Sequence, residues 1–144
     1  MIPHHDLTDE NFLALTGYEM EVSEPLRRPG SDEKIPYAQR RTCHMCFVAL
    51  DPGKQEQVCY HRSKYIWGDA MQYIDQLCFD PDLPDYERVY SHEGVSDMMR
   101  IGRENGFFVT YNHPNWSQED QTNYMGYDYM HAMEICNYSC VAEG

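Results

Sequence analysis

GFFVTYNHP, residues 106–114, is the stretch from which the fold reads most directly. Phe107, Phe108, Val109 and Tyr111 are aromatic or β-branched, the residue types that suit a pleated, half-buried surface. The run ends at Asn112 and His113, and Pro114, which has no backbone N–H, forbids further ladder pairing. Upstream, Glu93 to Asn105 reads as a helix. Val95, Met98, Met99 and Gly102 share one face, Arg100, Arg103 and Glu104 the other, and Asn105-Gly106 is a C-terminal stop. Helix, glycine turn and apolar strand make half of a βαβ unit, and in such folds ligands bind at the carboxyl ends of strands, where His113 stands.

Two further strands read from the same logic. In Thr42 to Leu50 the residues His44, Cys46, Val48 and Leu50 share one face and Cys43, Met45, Phe47 and Ala49 the other; both faces are apolar, which suits a buried strand of a parallel sheet. An imidazole inside such a strand is, on its own, a neutral side chain satisfied by one backbone partner. In Tyr18 to Val22, alternation puts Glu19 and Glu21 on one face and Tyr18, Met20 and Val22 on the other, and two glutamates on one strand face read first as a solvated edge. Thr8 or Asp9 caps a short turn ahead of it. Residues 23–41 mix proline, glycine and alternating charge and read as a long loop or hairpin excursion. A helix is expected around Ala70 to Leu77, a proline-broken acidic loop over Phe79 to Tyr86, and a last strand-like run from His131 to about Asn137.

Composition bounds the function. At 144 residues and 42% hydrophobic, 13% aromatic content, the chain is a single domain able to bury a core, but well short of the roughly 250 residues of a whole α/β barrel. Eleven basic against 24 acidic residues, a net charge of -13, argue against long nucleic acid, anionic membranes and unassisted binding of phosphates. A phosphorylated substrate would need cations. No apolar run approaches a membrane span and MIPHHDLTDE has neither the basic nor the apolar region of a signal peptide, so the cytoplasm is the expected compartment.

Six cysteines without a signal segment read as reduced thiols. Cys43 and Cys46 have C-x-x-C spacing, but strand alternation sends them to opposite faces, which argues against chelation, and Cys136 and Cys140 would have to join them. Glu19, His44 and His113 are the polar residues that strands carry. Two histidines and a carboxylate are a ligand set that a divalent metal accepts, and ligands borne on separate parallel strands meet at one end of a barrel.

The succession GYE (17–19), CHMCFVAL (43–50), GFFVTYNHPNWS (106–117) and HAMEICNY (131–138) resembles the polymerase and histidinol phosphatase superfamily, the PHP domain. That resemblance implies a distorted α/β barrel and a metal-dependent phosphoesterase. It maps a metal-bridging glutamate onto Glu19 and the histidines of one metal site onto His44 and His113. It sets Glu134 behind the ligands, and Glu21 shares the face of Glu19. Asn112 or Tyr111 would touch substrate. The cofactors implied are one to three divalent ions, zinc, manganese or iron, and the substrate a small phosphate ester. The family's opening His-x-His, its Thr-Asp-His and its late Asp-x-His are not matched, and the adjacent His4 and His5 would point to opposite faces of a strand. The chain therefore resembles the middle of such a domain, a partial (β/α) barrel lacking the first strands and the last strand–helix units. Its sheet edges would invite self-association. The alternatives are a catalytically incomplete fragment that binds metal or partners without turnover, and a cysteine-based zinc or redox module. His61, His92 and His131 are expected on the surface or in loops.

Overall fold

The computed structural model describes residues 7–138, with backbone alone for Tyr37 and Asp69; His4, His5 and Cys140 lie outside it. The described residues build one four-stranded sheet in the order β1-β2-β3-β4, with β1 Gly17–Ser23, β2 Thr42–Ala49, β3 Phe107–Asn112 and β4 Ala132–Met133. Helix α1, His92–Glu104, packs on one face, and the single turn α2, Gln121–Tyr124, lies between β3 and β4. Short 3-10 segments occupy Tyr37–Gln39 and Gly68–Gln76, the latter where a helix was expected. No helix among the described residues is long and apolar enough to cross a membrane.

The core follows from alternation. Met20 and Val22 of β1, Cys43, Met45, Phe47 and Ala49 of β2, and Phe107, Val109 and Tyr111 of β3 turn to the helix side and meet Val95, Met98 and Met99 of α1. The predicted helix over residues 93–105 thus begins and ends within a residue of α1. Ser91 caps it, its Oγ accepting from Gly94 N at 3.0 Å, as an extended N-cap serine does. At the other end Gly106 takes φ +79°, the left-handed turn that glycine adopts without cost, and the chain enters β3 at once. Gly102 marks the closest approach of helix to sheet: a Cβ there would fall 2.6 Å from Phe47 Cε2 and 2.9 Å from Val109 Cγ2.

Strand direction departs from expectation. β1 pairs with β2 antiparallel and β2 with β3 antiparallel; the pairing is parallel between β3 and β4 alone, across Thr110–Ala132 and Tyr111–Met133. The apolar character of both faces of β2, read as the mark of a parallel sheet, has another cause. One face packs on α1, while on the other His44 is covered by the loop that follows β3, its ring 4.7 Å from that of Trp116. The expected last strand shrinks to two residues, flanked by His131 N donating to Val109 O and Glu134 N donating to Tyr111 O, both at 2.8 Å.

Residues 24–41 form the expected excursion, closed on itself by a bridge between Arg27 and Lys34. Cys43 sits in the core and Cys46 on the opposite face, as alternation requires, and Cys43, Cys46, Cys59, Cys78 and Cys136 are free thiols.

Candidate metal centre

Because β1 and β3 both run antiparallel to β2, the end of β3 and the latter half of β1 flank the start of β2. Register sets Glu21, His44 and Asn112 in one row across the three strands, and Glu19 is one pleat along, opposite Cys46. All of these side chains lie on the face away from α1. His113 follows at the end of β3, at φ +29°, a conformation costly for a non-glycine residue. Its backbone is held there from both sides: Glu134 Oε2 accepts from His113 N at 3.0 Å, and His113 O accepts from Ser117 N at 3.1 Å.

The result is a convergence of three donors. Glu19 Oε1 lies 3.3 Å from His44 Nδ1 and 3.3 Å from His113 Nε2, and the two imidazole nitrogens are 2.8 Å apart. Among the described residues this is the group of three whose ligand atoms come together closely enough to hold a metal ion. Tetrahedral zinc with ligand bonds of about 2.0–2.1 Å separates its donors by roughly 3.3 Å. Both carboxylate–imidazole edges have that length, and the imidazole pair would part by about half an ångström to reach it. Two imidazoles and one carboxylate suit zinc, iron or manganese.

Each imidazole has a carboxylate on its far side. His44 Nε2 is buried and faces Glu21 Oε2 at 3.5 Å, a long, charge-assisted contact. His113 Nδ1 faces Glu134 Oε2 at 3.4 Å. Carboxylates so placed orient the rings of metal-binding histidines and raise their basicity. Burial pulls the His44 pKa down, but hydrogen bonding and charge from Glu19 and Glu21 outweigh it and raise the imidazole to about 9. The His44 contact in turn holds both glutamates below the usual carboxylate range, against partial burial. In the metal-free chain a proton on His44 supplies the positive charge that these carboxylates require.

Asn112 stands beside the cluster with its amide engaged: Nδ2 donates to Cys46 Sγ and Oδ1 accepts from Thr110 Oγ1, each at 2.7 Å. Tyr111, the other expected substrate contact, points the opposite way. It is fully buried on the helix side, its hydroxyl donating to Glu119 Oε2 at 2.7 Å, because one step along a strand reverses the face. Trp116 was not singled out by sequence reasoning, although it lies three residues beyond His113 on the same loop. Its ring is 4.7 Å from that of His44 and, edge to face, 5.7 Å from that of His113.

Among the described residues, the remaining histidines hold structure together. His92 opens α1 at the surface and His131 stacks on Phe108, both as expected. His61 lies in a loop, as expected, but is buried there, 7% exposed, where residues 57–66 fold against residues 83–90. Its Nδ1 accepts from Ser63 N at 3.1 Å, so Nε2 carries the proton and faces Glu87 Oε1 at 3.3 Å, leaving no lone pair for a metal. A separate cavity of about 370 Å³ lies on the helix side, among Val58, Cys59, Phe79, Leu83, Tyr86 and Ile101. Its sulfur is inert, since burial pushes the Cys59 thiol up to about 12.

No protein-family model, curated protein or solved structure matches the chain.

Proposed function

We propose that the chain is a metal-dependent phosphoesterase of the PHP type, hydrolysing a phosphate ester at a divalent ion held by Glu19, His44 and His113. The observation that carries this reading is the convergence of those three donors from β1, β2 and the residue after β3, with both carboxylate–imidazole edges at the length a tetrahedral ion sets. The segments that resemble PHP domains are the ones that supply them: GYE, CHMCFVAL and GFFVTYNHPNWS.

An ion bound there supplies a Lewis acid for the phosphate oxygens and lowers the pKa of a water. The protein's own part is orientation and charge. Glu21 and Glu134 fix the two rings from behind, and Trp116 shields His44 from solvent. The excursion joining β1 to β2 adds positive charge at this end of the sheet. Of the chain's 11 basic residues it carries Arg27, Arg28, Lys34, Arg40 and Arg41, against Glu24, Asp32 and Glu33. It is tied to the Trp116 loop by Gln118 Nε2 donating to Ala38 O at 2.6 Å and Thr42 N donating to Ser117 O at 3.1 Å. In a chain of net charge -13, this local excess of basic over acidic residues partly offsets the glutamates of the centre.

A second reading is metal binding without turnover. It is favoured by the single three-donor cluster among the described residues, because hydrolysis clamped by paired ions needs a second set. Elemental analysis of the purified chain and of His113→Ala, beside hydrolysis of an aryl phosphate in added zinc or manganese, separates the two. Metal lost with His113 and turnover in the parent chain support the phosphoesterase. Metal without turnover supports the second reading, and absence of metal from both proteins removes the centre.

A further inference from the structure

Trp116 is 43% exposed although its loop is closed by hydrogen bonds at both ends. Ser117 N donates to His113 O at 3.1 Å and Glu119 N to Pro114 O at 3.1 Å, closing residues 113–119 on themselves. Gln118 Nε2 ties the loop to Ala38. Beneath it Glu119, itself buried, accepts hydroxyl hydrogen bonds from Tyr90, Tyr111 and Tyr127. The loop therefore presents the indole beside the metal centre, tilted 38° over the His44 ring. A residue serving only to cover His44 would be spent on that contact; nearly half of this side chain's surface remains open to solvent.

We propose that Trp116 is a stacking platform for the organic part of the substrate, so that the ester taken has a flat aromatic ring on its alcohol, with nucleotides the class that fits. This rests on the phosphoesterase reading above. A phosphate drawn to the ion places a nucleoside's base one sugar away, within reach of an indole that already touches both ligand imidazoles. Glu19, Glu21 and Glu134 crowd the centre with negative charge and offer a sugar phosphate little attraction beyond the ion itself. Stacking on an uncharged ring adds affinity that this charge does not oppose, and it is tolerant of which base is presented.

The test uses the full chain loaded with zinc, and adenosine 5′-monophosphate against ribose 5-phosphate as probes. Binding is measured by equilibrium dialysis and kcat/KM by phosphate release, for the parent chain, Trp116→Ala and Trp116→Phe, with zinc content measured for each. The expected result is a preference for the nucleotide of roughly tenfold or more. That preference should fall toward one in Trp116→Ala and be largely kept in Trp116→Phe, at unchanged zinc content. A parent chain that binds and hydrolyses both esters equally, or a preference that Trp116→Ala leaves intact, overturns the platform while leaving the phosphoesterase standing. Hydrolysis of neither ester removes the phosphoesterase reading instead. In that case a nucleotide preference in dialysis that disappears in Trp116→Ala still supports the platform, and equal binding overturns it.

Discussion

Glu21 Oε2 lies 3.5 Å from His44 Nε2, on the side of the ring opposite the nitrogen that faces Glu19 and His113. Glu134 stands in the same relation to His113, 3.4 Å from Nδ1. Each carboxylate fixes which nitrogen turns to the centre and makes it a better donor. Glu21→Gln and Glu134→Gln should each weaken zinc binding by about 10–100-fold without abolishing it. His113→Ala, which removes a donor, should do far more. Competition with a chromogenic chelator measures all three; affinities of the two glutamine variants equal to the parent's would mean that the carboxylates do not act through the imidazoles.

The metal-free chain should lose stability on the alkaline side of neutrality. His44 is raised from 6.5 to about 9 by Glu19 and Glu21, against its burial. A group whose pKa is raised on folding stabilises the fold fully below its unfolded value and loses that contribution as pH climbs through the folded one. Glu19 and Glu21 are lowered from 4.5, so their contribution is present above that value and is lost as the solution becomes more acidic. The cluster therefore contributes most between about pH 4.5 and 6.5, and declines toward pH 9. Thermal melts in a chelating buffer across this range should show the decline, and His44→Gln should flatten it. A parent curve already flat from pH 6.5 to 9 would refute the coupling.

What was legible beforehand divides by range. The bounds of α1, β2 and β3, and the faces of Glu19, His44 and Cys43, follow from periods of 3.6 and 2 that a local stretch carries whole. Strand direction is not written in any such period. The start of β2 is covered on both faces whether its neighbours run parallel or antiparallel, and the cover over His44 comes from Trp116, 72 positions along the chain. Residues 54–77 were opaque for a related reason. Their order comes from pairs such as Arg62 with Asp85 at 2.7 Å and Lys64 with Glu87 at 2.6 Å, which bury His61 without leaving a repeat to read. That Glu19, His44 and His113 share one sheet face was a matter of alternation; that their donor atoms stand within 3.3 Å of one another depends on register, which neither strand specifies alone.

Gly102 should tolerate no side chain. A Cβ there would meet Phe47 Cε2 at 2.6 Å and Phe47 Cζ at 2.9 Å, and the Phe47 ring is fully buried and packed against Tyr18 and Phe107. Alanine is otherwise the better helix former by about 1 kcal/mol, so helix propensity alone would make Gly102→Ala stabilising. Overpacking of this kind costs about 1–3 kcal/mol and should win. Urea unfolding decides the sign: a midpoint raised by the substitution would show that α1 can lift from the sheet at small cost.

Glu119 should be the polar residue whose loss is felt most in the fold. It is buried, and the hydroxyls of Tyr90, Tyr111 and Tyr127 converge on its two oxygens from three separate segments. Glu119→Leu removes the shared acceptor and leaves three hydroxyls facing an apolar group, and each unsatisfied donor costs about 1–3 kcal/mol. These costs are not additive, because the tyrosines can relax, and a total of about 3 kcal/mol corresponds to a fall in Tm of roughly 10 °C. Tyr90→Phe removes one donor and leaves the acceptor in place, so it should cost about a third as much. The loop anchored by Glu119 also carries His113 and Trp116, so zinc affinity should fall in Glu119→Leu and hold in Tyr90→Phe. Equal destabilisation by the two substitutions would show that the carboxylate is solvated rather than shared, and that the loop is held by its backbone hydrogen bonds instead.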